Sequence, residues 1–196
     1  MIRASALSRT AVAIACIAVL AGCAGQPTVG EYLTPKTACC ASVSEVTFRP
    51  LSLGQDLGLS LSASSPTYEI SGNRRHFVAL KIPDGFEATA IHIKSYLTTP
   101  FLPKTSAVVP EFVFLDGSYR VIDTRPAEDF EVLREFGRSG VTGRVNVPVT
   151  ARYVMVMASD GSRGVPVIHI GGGSSHRVNP AALGDFAVRI FGEQKK

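Results

Sequence analysis

The chain has 196 residues, of which 45% are hydrophobic, and its formal net charge is +4. Its basic residues are scattered, without a basic stripe or interleaved aromatic residues, so the composition gives no support to nucleic-acid binding. This length suits one folded domain with a substantial core rather than two domains.

The beginning of the chain has the arrangement of a lipoprotein signal. Two arginines precede an apolar stretch over 11–20, and Leu-Ala-Gly-Cys follows at 20–23. The apolar stretch is too short to span a bilayer permanently, and the small residues before Cys23 suit a signal peptidase. We therefore predict that residues 1–22 are removed and that Cys23 carries a diacylglycerol and a further acyl chain, which anchor the protein to a membrane. An uncleaved anchor helix and a plain secretory signal are the alternatives.

The residue after the acylated cysteine bears on the destination of the protein. In such signals an aspartate at this position retains a lipoprotein in the inner membrane, so Ala24 predicts the outer membrane, facing the periplasm. Loss of the two signal arginines leaves 18 basic and 16 acidic residues, a charge of about +2.

Residues 24–38 contain Gly, Pro and Thr without an apolar period, which predicts a surface tether. Cys39 and Cys40 follow. In an oxidising compartment, three arrangements remain open: a strained disulfide between the two neighbours, an intermolecular bridge, or thiols packed into the domain. Adjacent side chains of an extended strand point to opposite faces, so direct bonding requires a turn. No metal site or cofactor is predicted, because no recognisable set of zinc ligands is present.

Over 39–191 short β-branched and aromatic runs alternate with turn residues, which predicts an all-β domain. Eleven strands are predicted, at 45–49, 57–61, 67–70, 76–82, 89–97, 111–115, 119–122, 141–147, 152–158, 165–170 and 185–191. Asp-Gly pairs at 84–85, 116–117 and 160–161 favour tight hairpins. So many short strands must bury an apolar face against another sheet, so we predict an antiparallel β-sandwich, jelly-roll-like, followed by a polar tail at 192–196.

The run 90–97 shows the alternation of a strand with one buried face. Ile91, Ile93 and Ser95 share one face, whereas His92, Lys94 and Tyr96 share the other. We predict that Ile91, Ile93, Phe112 and Phe114 lie in the core.

One helix is predicted, over about 127–136. Phe130, Leu133 and Phe136 repeat every three residues, and acidic residues stand at the start of this segment. The helix is expected to pack one apolar edge across the end of a sheet.

A glycine-rich segment lies near the end of the chain, where two histidines bracket IGGGSS. Ser174, Ser175 and His176 are the residues most suggestive of a hydrolase. However, the segment lacks a Gly-x-Ser-x-Gly elbow and an identifiable acid partner, and it lacks the Lys-Ser/Thr ending of a phosphate-binding loop. We interpret it as a flexible connector before the last strand.

Carboxylates and aromatic residues offer two further functional readings. Glycosidases need two facing carboxylates. The acidic residues nearest in sequence are Glu111, Asp116, Asp123, Glu128 and Asp129, but a turn or a helix start accounts for three of them, so no catalytic residue is predicted. Sugar-binding modules present exposed aromatic rings. Tyr96 and His92, on the wet face of a strand, are therefore the candidate ligand-binding residues.

The order of several segments resembles the maltose-operon periplasmic protein (MalM) family. The resemblance rests on TFRPL at 47–51, FVALKIP at 77–83, VVPEFVFLDGSYRVI at 108–122, ARYVMVMASD at 151–160 and the segment leading to FAVRIF at 186–191. It implies a β-rich periplasmic protein that is linked to maltodextrin uptake and has no established catalytic activity, and it supplies no catalytic residue. The lipobox, Leu-Ala-Gly-Cys at 20–23, is a departure from the family pattern.

Two classes of function follow. The first is a non-enzymatic envelope module, either an accessory in carbohydrate transport or a carbohydrate-binding module. The second is an envelope hydrolase acting on glycans or esters. A structural module that binds another envelope protein is a further alternative.

Overall fold

The computed structural model describes residues 39–70, 72–98, 105–159, 167–170 and 174–194. The predicted signal at 1–22, the acylated Cys23 and the tether at 24–38 lie outside the described residues. None of the described residues belongs to a helix long and apolar enough to cross a membrane.

Two sheets face each other. The first contains β1 (Arg49–Pro50), β3 (Thr67–Ile70), β4 (Asn73–Lys81), β7 (Pro110–Leu115), β8 (Val121–Pro126) and β11 (Tyr153–Ala158). Its strand order is β1-β4-β11-β7-β8, with β3 also beside β4, and every pair except the parallel β1–β4 is antiparallel.

The second sheet is antiparallel throughout. It contains β2 (Leu57–Leu61), β5 (Phe86–Tyr96), β9 (Glu128–Glu135), β10 (Arg138–Asn146) and β15 (Gly184–Gln194), in the order β2-β15-β5-β10-β9. Two small pairs complete the described strands, β6 (Ser106–Ala107) with β14 (Asn179–Pro180) and β12 (Val167–Ile170) with β13 (Ser174–Arg177). The prediction of an all-β sandwich is confirmed.

The main core lies between the two sheets, where alternate residues of each strand point inward. The four residues predicted to be core, Ile91, Ile93, Phe112 and Phe114, are all fully buried within it. On β5, Ser95 shares this face and is also fully buried. The period-2 pattern therefore assigned the faces of β5 correctly.

The first sheet is buried on its outer face as well. A second cluster there comprises Phe77, Ala79, Val113, Leu115, Met155 and Met157. Val43, Val46 and Phe48, from the segment that leads into β1, pack against it. Every residue of β7 is buried as a result, which explains why this strand is an almost unbroken apolar run.

The predicted helix at 127–136 is wrong, because this segment forms β9 and pairs with β10. Its three-residue apolar spacing places successive residues on opposite sides of a strand. Phe130 packs into the core, while Leu133 lies opposite Gly140. Phe136 is in the turn that joins β9 to β10, where Gly137 has a φ of 76°.

Other predicted elements differ in their bounds or roles. The strand predicted at 45–49 is instead a short 3-10 turn, Val43–Glu45, followed by the two-residue β1. Asp84-Gly85 joins strands of different sheets rather than a hairpin. The predicted flexible connector contains β13. The predicted tail at 192–196 contributes to β15, because Gly192 and the next two residues pair with β5.

Close contact between strands makes one glycine of β10 hard to replace. A Cβ at Gly140 would stand 2.3 Å from the carbonyl oxygen of Ser95 and 3.3 Å from Leu133. Since neighbouring backbone cannot move freely, we expect Gly140→Ala to lower the free energy of unfolding by about 1–3 kcal/mol. Urea denaturation measures this loss. Gly58→Ala, in β2, is the matched control, because no atom lies within 4 Å of its added Cβ; an equal loss in both variants would contradict the packing explanation.

Candidate functional site

The outer face of the second sheet carries the candidate ligand-binding residues. On β5, His92 is exposed and Lys94 and Tyr96 are partly exposed. All three share one face, as the alternation predicts. The strands on either side, β10 and β15, supply the arginines and the phenylalanine that surround them.

Lys94 lies at the centre of a network of charges on this face. Its Nζ is 2.9 Å from Oδ2 of Asp56 and 2.6 Å from Oε1 of Glu135. Nε of Arg189 donates to the other oxygen of Asp56 at 2.8 Å. The hydrogen bonds from Arg189 and Lys94 lower the pKa of Asp56, and those to Glu135 and Asp56 raise the pKa of Lys94. Asp56, Lys94 and Arg189 therefore stabilise the charged forms of one another on this part of the face.

Tyr96 lies at the end of the network. The guanidinium of Arg138 is 4.7 Å from the centre of its ring, a cation–π contact. Its hydroxyl donates to Oε2 of Glu135 at 3.5 Å. One ring face of Tyr96 therefore already has a partner within the domain.

His92 occupies a different environment. Its ring lies 4.5 Å from the ring of Phe191, with the planes inclined by 53°. In register it lies between Arg144 of β10 and Arg189 of β15. The imidazole and the phenyl ring form an exposed aromatic pair beside polar side chains.

A bulge in β9 opens a groove next to His92. Gly143 of β10 faces two residues, Asp129 and Phe130, and Asp129 takes a left-handed backbone with φ of 53°. A Cβ at Gly143 would stand 3.1 Å from the Phe130 ring, so glycine lets the two strands approach at the bulge. We call the resulting surface the β9 groove. Its volume is about 950 Å³, and it is lined by His92, Asp129, Phe130, Glu131, Val132, Thr142, Gly143 and Arg144.

Polar groups of the β9 groove suit a ligand rich in hydroxyls. Nε of Arg144 donates to Oδ2 of Asp129 at 2.6 Å, and both side chains are 60% exposed. A guanidinium presents several donors in one plane and a carboxylate presents two acceptors, so together they can bind adjacent hydroxyls of a sugar. The ring of His92 adds a surface for the C–H face of a pyranose.

The predicted hydrolase residues lie elsewhere, on β13. Ser175 is exposed and is the register partner of residue 169, and Ser174 pairs with residue 170. The three candidates are consecutive residues of one strand, in a two-stranded pair separate from the sheet that contains β5.

The clustered carboxylates are dispersed in space. Glu111 is buried and paired with Arg75, and Asp116 accepts backbone hydrogen bonds within its own turn. Asp123 pairs with Arg125 at 2.6 Å. Of these five carboxylates, Glu128 and Asp129 are the exposed ones, and Asp129 lines the β9 groove.

Cys39 and Cys40 are joined by a disulfide at a bend in the chain, so the first of the three open arrangements is the one observed. Both line a second cavity of about 400 Å³ at the edge of β4. Within the described ranges, no group of three or more His, Cys, Asp or Glu residues is placed to hold a metal ion.

Comparison with models of known families, with curated proteins and with solved structures finds no match to this chain.

Sequence reasoning missed most of the β9 groove. Asp129 was assigned to a helix start, and Arg144 carried no motif. A second group was also missed: Phe48, Tyr119 and Tyr153 form a cluster of rings on the first sheet, with Tyr119 and Tyr153 stacked at 4.7 Å. The hydrogen bond between the two tyrosines raises the pKa of Tyr153. The β9 groove joins the two strands of a hairpin to β5, and the ring cluster joins residues far apart in sequence, so the pattern within any one segment shows neither group.

Proposed function

We propose that this protein is an outer-membrane lipoprotein, anchored through Cys23 and facing the periplasm, that acts as a non-enzymatic carbohydrate-binding accessory in maltodextrin uptake. The lipobox supports the anchor, and the resemblance to the MalM family supports the link to maltodextrin. Neither the resemblance to the MalM family nor the lipid anchor indicates where on the domain a carbohydrate would bind.

The observation that carries the binding proposal is the β9 groove. It places the exposed ring of His92, which packs beside Phe191, and an exposed Arg144–Asp129 pair along one open concave surface. Ring stacking and planar hydrogen bonding are the two contacts by which proteins hold sugars without covalent chemistry. An open groove leaves most of a ligand in water, so affinity is expected to be weak.

Titration calorimetry with maltodextrins tests the proposal. We expect a dissociation constant of about 1 mM, equivalent to roughly 4 kcal/mol. His92→Ala and Arg144→Ala should each weaken binding about tenfold, because each removes one class of contact. Arg120→Ala is the matched control, since Arg120 is an exposed arginine in the β7–β8 loop of the other sheet. A weaker affinity in Tyr96→Ala would show that the ligand extends along β5 from His92 to Tyr96.

The alternative functions predict different results in binding and turnover measurements. Absence of heat at high sugar concentration would overturn the carbohydrate proposal and favour a protein-interaction role in the envelope. Turnover of a glycan or ester that is lost in Ser174→Ala or His176→Ala would establish a hydrolase instead. Unchanged affinity in both His92→Ala and Arg144→Ala would place the ligand outside the β9 groove.

A further inference from the structure

Phe136 is the most exposed large apolar residue among those that the structure describes. Its relative exposure is 108%, against 66% for Val149 and 50% for Val121. It lies with Gly137 in the two-residue turn between β9 and β10, closed by the pairing of Glu135 with Arg138. Turns of this kind are satisfied by small polar residues, so the turn itself does not require a phenyl ring. Its hydrophobic surface is left entirely in water.

The surroundings of Phe136 are basic. Arg134 and Arg138 flank the turn, and both are exposed. The intervening carboxylate, on Glu135, is held by Nζ of Lys94 at 2.6 Å. Two positive charges therefore lie within two residues of Phe136, with the guanidinium of Arg138 held over the ring of Tyr96, and the turn itself contains no carboxylate.

The chain enters the sandwich at the same end as this turn. The backbone N–H of Cys39 donates to the carbonyl oxygen of Thr67 at 3.0 Å, and Thr67 pairs with His76, near the start of β4. We call this the lower end. After β4 the chain turns at Asp84-Gly85 and descends as β5, so Tyr96, the last residue of β5, also lies at the lower end.

The β9–β10 turn extends beyond that point. Gly140 is the register partner of Tyr96, and the turn lies further along the same hairpin. The other end of β10 pairs with the start of β5, so Val149, in the next loop, lies at the opposite, upper end. The two most exposed of the described apolar residues thus mark the two ends of the sandwich.

We propose that the Phe136 hairpin tip docks into the interfacial layer of an anionic bilayer, so that the domain stands on the membrane with its lower end down. The proposal rests on the anchor in the proposed function. Aromatic rings favour the membrane–water interface, and arginine side chains are attracted to an anionic surface. Residues 24–38 reach at most roughly 50 Å when extended, so an anchored Cys23 keeps the tip at high effective concentration near lipid.

Because the chain contains no tryptophan, a single introduced tryptophan reports position directly. The chain from Cys23 to Lys196 retains every described residue, and with Cys39 and Cys40 bonded to each other its only free thiol is Cys23. We would couple that thiol to maleimide lipids in phosphatidylcholine vesicles that contain phosphatidylglycerol and brominated acyl chains. Phe136→Trp is the probe, and Val149→Trp is the matched control at the upper end.

We expect the emission of the Phe136→Trp variant to shift to the blue and to lose roughly half of its intensity to the brominated chains, while the emission of the Val149→Trp variant stays unquenched. Arg134→Glu, added to Phe136→Trp, should reduce the quenched fraction at least about twofold. Equal quenching of the two variants, quenching of Val149→Trp alone, or quenching of neither would overturn the proposal.

Chemical coupling makes this result independent of acylation in the cell. Metabolic labelling with an alkyne fatty acid, compared between the natural chain and Cys23→Ser, tests the anchor separately. A failed anchor with quenched emission from Phe136→Trp would reject the lipoprotein assignment and leave the docking surface standing; the reverse result would reject only the docking surface.

Discussion

Phe112→Ala should lower the free energy of unfolding by about 3–5 kcal/mol, which is a large fraction of the stability of a domain of this size. Phe112 is fully buried between the sheets, with its ring 6.3 Å from that of Phe114 and nearly parallel to it. Its neighbours in register, Val156 of β11 and Arg125 of β8, are fixed by the sheet, so the cavity left by alanine cannot collapse. The loss combines transfer free energy with cavity formation.

Urea denaturation with far-UV circular dichroism measures this change. Phe136→Ala is the matched control, because the same substitution at a fully exposed ring should alter the free energy of unfolding by less than about 0.5 kcal/mol. A change of under about 1 kcal/mol in Phe112→Ala would mean that the two sheets do not pack as described.

Breaking the ion pair between Arg75 and Glu111 should be equally costly. The two side chains are only 7% and 5% exposed, beside the apolar cluster on the outer face of the first sheet. Glu111→Leu removes the carboxylate and leaves the guanidinium of Arg75 buried. The hydrogen bond that Arg75 already donates to the carbonyl oxygen of Ala158, at 3.4 Å, does not neutralise its charge. Because an uncompensated buried charge is strongly unfavourable, we expect a loss of about 3–5 kcal/mol.

The double variant separates the charge from the packing. Arg75→Met combined with Glu111→Leu removes both charges and should recover most of the loss, bringing stability to within about 1 kcal/mol of the natural chain. Asp84→Asn, which breaks the exposed Lys81–Asp84 pair, should leave the free energy of unfolding nearly unchanged, because solvent screens this pair. A double variant no more stable than Glu111→Leu alone would show that the ion pair is not an isolated electrostatic unit.

Local patterns predicted the strands whose two faces differ. On β5 the alternation of Ile91 and Ile93 with His92 and Tyr96 matches the observed faces, and the predicted bounds of the strands at 57–61 and 67–70 are those of β2 and β3. Such strands carry their burial pattern in their own sequence, because a period of two follows from the pleat. The sandwich class followed from the number of such strands.

The same reasoning failed where a partner strand, rather than the segment's own pattern, decides the structure. The apolar spacing of β9 resembles a helix turn, but Gly140 and Gly143 of β10 create the spaces that Leu133 and Phe130 fill. That hairpin determines both the bulge and the β9 groove, so the error over 127–136 also concealed Asp129 as a candidate binding residue. The sequence identified His92 because the alternation within β5 alone places this residue on the exposed face.

If carbohydrate binds in the β9 groove, a titration of the isotopically labelled domain with a maltodextrin, followed by backbone amide chemical shifts, will locate it there. We predict shifts concentrated at His92, Asp129 and Thr142 to Arg144, saturating near a dissociation constant of about 1 mM. The aromatic cluster of Phe48, Tyr119 and Tyr153 should stay unshifted. Shifts centred on that cluster, or no shifts at saturating sugar, would contradict binding in the β9 groove.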